Sequence, residues 1–140
     1  MKTRIYALVM GIVFLVIGVL GFVPGLVSHP EGLPPLAVET GHGLLLGLFA
    51  VNVLHNLVHL AFGLCGVVVW RSFVASRIYA RATTAVYAVL LVMGLVPGLH
   101  TLFGLVPLHG ADVWLHAAIA VVSAYFAYAP AVAVERPGRL

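Results

Sequence analysis

The stretch NVLHNLVHLAFG, residues 52–63, sets Asn52, His55, Asn56 and His59 inside an otherwise apolar run. Three- and four-residue steps put these side chains, with Gly63 and Gly66, on one stripe of a helix. Asp112 and His116 form a second pair four residues apart. Two imidazoles one turn apart can reach one ion. His55, His59, Asp112 and His116 therefore form a candidate four-ligand metal set, with Asn52 and Asn56 behind it. Imidazole suits zinc, copper, iron and nickel alike. A haem b is the alternative cofactor. His55 or His59 would then hold one face of the ring and His116 or His100 the other, because two histidines on one stripe cannot serve both faces. The same residues can also act without any ligand. Hydrogen bonds between helices in a membrane average only about 0.6 kcal/mol but fix register.

Other chemistries lack their residues. The sequence has no phosphate loop, no G-x-S-x-G elbow, no C-x-x-C and no H-E-x-x-H. Asn56 stands where a metalloprotease carries its glutamate base, and an amide cannot take that proton. No residue is assigned a catalytic role. Proton or ion transport is a third class, but no ionisable residue is seen to continue from His59 toward the far side. His29, His42 and His109 fall in connecting segments and are expected to be solvated. Asp112, just before VWLH, also suits a helix N-cap.

What must position these side chains follows from composition. The chain has 140 residues, 63% hydrophobic and 8% charged, with a mean hydropathy of +1.16. Soluble domains carry roughly 25% charged residues. Too few polar side chains exist to cover a watery surface, so the partner is the lipid bilayer. Apolar runs at 5–27, 43–70, 78–97 and 113–134 predict an all-α, four-helix transmembrane bundle forming a single integral membrane domain. The first run is too long for a secretory signal core and no A-x-A-like site follows, so it is read as a retained span. Prolines 24, 30, 34, 35, 97 and 107 cluster at the ends of runs, where they can stop helices.

The basic residues set direction. Lys2, Arg4, Arg71, Arg77, Arg81, Arg136 and Arg139 all fall on one side of a four-span arrangement, and the other connections hold Glu31, Glu39 and Asp112. This predicts cytoplasmic N- and C-termini. Such scattered small groups are a topology signal and not a nucleic-acid surface. Counting up from Arg71, Arg81 and Glu135 at about 1.5 Å per residue sets Asn52, His55, His59, His100, Asp112 and His116 near one level in the outer third. Polar stripes of the second and fourth helices would face each other, with Gly43, Gly47, Gly63 and Gly66 allowing close approach by a helix or flat ligand. Trp70 and Trp114 read as interface anchors, as do Tyr6, Tyr79, Tyr125 and Tyr128. GFVPGL (21–26) and GLVPGL (94–99), each followed by a His-Gly pair, suggest two similar hairpins. Cys65 is the only cysteine, which rules out an intrachain disulfide. A homo-oligomer or a larger membrane complex stays open.

GLFAVNVLHNLVHLAFGLCG (47–66) with ADVWLHAAIA (111–120) resembles an uncharacterised bacterial membrane family, domain of unknown function 4383. The likeness runs from GIVFLVIGVLGFVPG to the fourth span. It implies a small four-span protein of the bacterial inner membrane, with Asn52, His55, Asn56, His59, Asp112 and His116 as motif residues, and it supplies no reaction. Leu108-His109-Gly110-Ala111 replaces an Asn-rich approach common in the family. The resemblance therefore implies no family-wide role for His109.

Overall fold

The computed structural model describes residues 1–128. Four helices dominate: α1 (Lys2–Leu20), α2 (Val53–Val69), α3 (Phe73–Leu95) and α4 (Ala111–Tyr128). Apart from α2, each is long and apolar enough to cross a membrane, and α2 is a shorter apolar helix. Val, Leu and Ile side chains on all four stay exposed, as lipid requires. The chain is a multi-pass membrane protein.

The helices pair as two hairpins, α1 with α2 and α3 with α4. Next, α1 and α3 approach across the middle, which leaves α2 and α4 at opposite corners. The α2 and α4 backbones thus have little direct contact, and their histidines converge through the core, His59 against Phe14 and His116 against Tyr87. The α1–α2 approach is closest. A methyl on Gly11 would lie 2.7 Å from the backbone nitrogen of Val67, and one on Gly66 would lie 2.7 Å from the carbonyl oxygen of Ala7. Gly63 and Gly66 therefore admit the α1 backbone itself, and no flat ligand enters there.

One expected span is divided. Residues 43–51 form β2 (Gly43–Leu45) and β3 (Phe49–Val51), with β1 (Val27–Ser28) on the other side of β2. The strands are antiparallel, with Gly43 opposite Val51 and Val27 opposite Leu45. Leu46 and Gly47 turn the hairpin at positive φ, a conformation that ends a helix. Gly43 and Gly47 accordingly lie in this small sheet. Helix α1 stops at Leu20 and gives way to a 3-10 turn at Pro24–Leu26, so the first run does not stay helical to residue 27. Helix α3 starts earlier than expected, at Phe73, because Ser72 accepts a capping bond from the Ala75 N–H at 3.3 Å. The expected end of the fourth span at 129–134, with Glu135, Arg136 and Arg139, lies outside the described residues.

The sheet and the connections between α1 and α2 and between α3 and α4 make a cap at one end of the bundle. Basic residues gather at the other. There Arg4 Nε donates to the carbonyl of Trp70 at 3.0 Å and Arg77 Nε donates to the carbonyl of Ala127 at 2.8 Å.

Tyr6 and Tyr79 were expected at the interface. Both are instead in the core, with Phe14 and Tyr87. Tyr125, Tyr128 and Trp114 are exposed as anchors should be.

Candidate functional site

Asn52 sits where the cap becomes helix α2. Its backbone is extended, and its side-chain oxygen accepts the His55 N–H at 2.9 Å. Its amide nitrogen donates to the carbonyl of Val38 at 2.9 Å and to that of Leu105 at 2.7 Å. One buried side chain thus starts the helix and ties both connecting segments to it. Those segments also bind each other, Ala37 N–H to the Gly104 carbonyl at 2.8 Å. Asp112 works from the other hairpin. It lies within the first turn of α4 and not before it, and its carboxylate accepts the Ala50 N–H of β3 at 2.7 Å. The neighbouring Gly110 bridges Phe49 on the open edge of β3, so the fourth helix is clamped to the sheet twice.

The three helical histidines lie below this cap. His55 and His59 lie one turn apart with ring centroids 4.1 Å from each other and planes tilted by 37°. His59 Nδ1 lies 3.0 Å from the carbonyl oxygen of His55. Since a carbonyl only accepts, this nitrogen carries the proton and Nε2 keeps its lone pair. The Nδ1 of His55 faces the Asn56 side-chain oxygen at 3.4 Å, a long contact. His116 reaches in from the opposite corner, packs edge-on to Tyr87 at 5.3 Å, and has a buried Nδ1 with no partner among the described residues. Tyr87 stacks on Phe14 at 5.5 Å, and Phe14 in turn meets His59 edge-on at 5.3 Å. His59 and His116 therefore each engage one ring of a stacked aromatic pair.

His100 is not part of this group. It falls in the turns after α3, where its carbonyl accepts the Leu108 N–H at 2.8 Å. His29, His42 and His109 form a second grouping with it in the cap. Each of the two sites left unpaired there, His42 Nε2 and His109 Nε2, is buried although the residues are only half-buried. Burial pushes the His109 imidazole below its ordinary range, and repulsion from His42 and His100 pushes the same way. Burial also lowers His42, partly offset by Glu39 and reinforced by His29.

Among the described residues, no group of three or more His, Cys, Asp or Glu side chains is placed to hold a metal ion. The donors' other engagements account for this. Asp112 accepts the Ala50 N–H, and His55 Nδ1 faces the Asn56 side-chain oxygen. The metal and haem expectations thus find no support in this arrangement.

Sequence reasoning missed two features. A cleft of about 190 Å³ opens beside the start of α2, with Phe22, Pro24 and His29 near its mouth and Asn56 among its lining. Below the histidines, buried hydroxyls continue: Tyr87, Thr83 and Tyr79 on α3, Tyr6 on α1 and Ser123 on α4. The signal was the four-residue spacing of Tyr79, Thr83 and Tyr87, which puts them on one face of α3.

A family model described as Domain of unknown function (DUF4383) matches residues 4–129. No curated protein and no solved structure matches the chain.

Proposed function

The chain belongs to this family of unknown function, so its own geometry has to supply the reading, and we propose that the polar cluster is chiefly architectural. In this reading the protein is a structural or accessory subunit of the membrane. Asn52 carries the argument. Fully buried, it closes three hydrogen bonds that join the start of α2 to both connecting segments. A side chain so completely used has nothing left for a substrate. The basic residues at the end opposite Glu31, Glu39 and Asp112 support a bacterial inner-membrane protein with cytoplasmic termini. The test is limited proteolysis of the purified protein in detergent. Asn52→Ala should expose the cap segments to cleavage, while His55→Gln and His116→Gln should stay resistant. Cap segments that resist equally in Asn52→Ala would overturn the reading.

A second reading, transition-metal binding by His55, His59 and His116, is favoured by one observation: His116 Nδ1 is buried without a partner, and His59 keeps Nε2 unprotonated. Metal analysis of the purified protein tests it. Stoichiometric metal in the wild type that is lost in His116→Gln would support it, and absence of metal in both would reject it. An absorption spectrum before and after dithionite tests haem b in the same sample.

A further inference from the structure

The buried polar groups of this protein do not stop at the cap. Asn56 lines the cleft at the cap end, and His55, His59 and His116 follow it. His116 touches Tyr87. From Tyr87, Thr83 and Tyr79 descend α3 at four-residue steps, about 6 Å each. Thr83 donates to the Tyr79 carbonyl at 2.9 Å, which fixes it on this face. Tyr79 and Tyr6 pack ring to ring at 6.4 Å, and the Tyr6 hydroxyl shares a 2.6 Å hydrogen bond with Ser123 Oγ. Tyr6 then lines a second cleft, of about 460 Å³, between α1 and α4 at the basic end, together with Lys2 and Tyr125. A file of buried imidazole and hydroxyl groups therefore lies between two clefts at opposite ends of the bundle.

Packing alone does not require these hydroxyls. A buried hydroxyl without a partner is costly, and Tyr79 Oη is buried without one among the described residues. It presses against α2 where a methyl on Gly66 would come within 2.9 Å of it. Phenylalanine would fill nearly the same volume and avoid the cost. Polar groups retained at membrane depth commonly mark ion or proton paths.

We propose that this file passes protons between the cap-end cleft and the basic-end cleft. Each imidazole takes a proton on its free nitrogen and releases the one on its other nitrogen. Each hydroxyl accepts on an oxygen lone pair and gives its own proton onward. Rotation of the hydroxyls and transfer within the rings then reset the file. Only N–H and O–H bonds are exchanged, nothing is oxidised or reduced, and the proton gradient supplies the drive. The proposal assigns the steps that lack a direct hydrogen bond to bridging water.

The experiment uses the full chain reconstituted in phosphatidylcholine–phosphatidylglycerol vesicles loaded with pyranine. A potassium gradient and valinomycin impose the potential, and internal pH is followed. The wild type should move protons faster than protein-free vesicles. Tyr87→Phe and Tyr6→Phe, each removing one oxygen, should fall to the protein-free rate, while Tyr128→Phe, exposed and outside both clefts, should match the wild type. A wild type no faster than protein-free vesicles would overturn the proposal, as would Tyr→Phe variants that conduct normally. Should Tyr87→Phe fail to fold, Tyr6→Phe decides on the same criteria. Loss of flux in Tyr128→Phe as well would also count against it.

Discussion

Asp112 accepts a hydrogen bond from the backbone N–H of Ala50 at 2.7 Å, across 62 residues of sequence. The contact joins the first turn of α4 to a strand of the first hairpin, so this carboxylate helps lock the two hairpins at the cap. Removing it strands a buried N–H, which costs about 1–3 kcal/mol. Asp112→Ala should therefore lower the thermal midpoint in detergent. Asp112→Asn keeps an acceptor oxygen and should retain most of the stability. An Asp112→Ala protein that melts with the wild type would show the clamp to be idle.

Asn52 makes a sharper case, because its two ends do different work. Asn52→Asp keeps the oxygen that caps α2 but loses both donations, to Val38 and Leu105. It also points a carboxylate oxygen at two carbonyls. Asn52→Asp should be at least as unstable as Asn52→Ala, the reverse of the order expected were capping its only task. Thermal melts of the two variants settle the order.

The meeting of α1 and α2 depends on glycine. A methyl on Gly63 would lie 2.7 Å from Leu15 N, with no flexible side chain to give way at that atom. Gly63→Ala should force the helices apart and cost about 1–3 kcal/mol, the usual range for overpacking. Cysteine pairs introduced on α1 and α2 would report the change as slower cross-linking. Unaltered cross-linking and stability would mean that the backbone contact is not tight.

These sites differ in how far the sequence exposed them. The stripe Asn52, His55, Asn56, His59, Gly63 and Gly66 was legible, since polar and small residues at helical spacing stand out in an apolar run. All of these are buried in the fold. The start of α2 was not legible. Hydropathy is equally high in residues 43–51 and in the helix beyond, and an apolar run alone does not separate strand from helix. The positive φ at Leu46 and Gly47 and the cap at Asn52 make that division. Tyr6 and Tyr79 misled for a related reason. A tyrosine close to a span's end usually sits in the interfacial belt, and only tertiary packing reveals that these two turn inward against Phe126 and Phe62.

The half-buried cap histidines give a pH dependence with a defined sign. Burial lowers His109 and His42 below the ordinary value of about 6.5, with His42 and His100 adding repulsion at His109 and with His29 opposing Glu39 at His42. A histidine that resists protonation when folded leaves the unfolded chain binding more protons. Its contribution to stability is complete above the unfolded value and is lost as pH falls below about 6.5. The cap should therefore loosen on acidification, with cleavage of the cap segments rising between about pH 7 and pH 5.5. His42→Gln combined with His109→Gln removes both titrating groups and should flatten that rise without abolishing the fold, because neither ring nitrogen left buried in the cap has a protein partner to lose. The measurement is the proteolysis rate of wild type and double variant across this range, at fixed protease activity against an unfolded control. An equally steep rise in the double variant would assign the acid response to other groups.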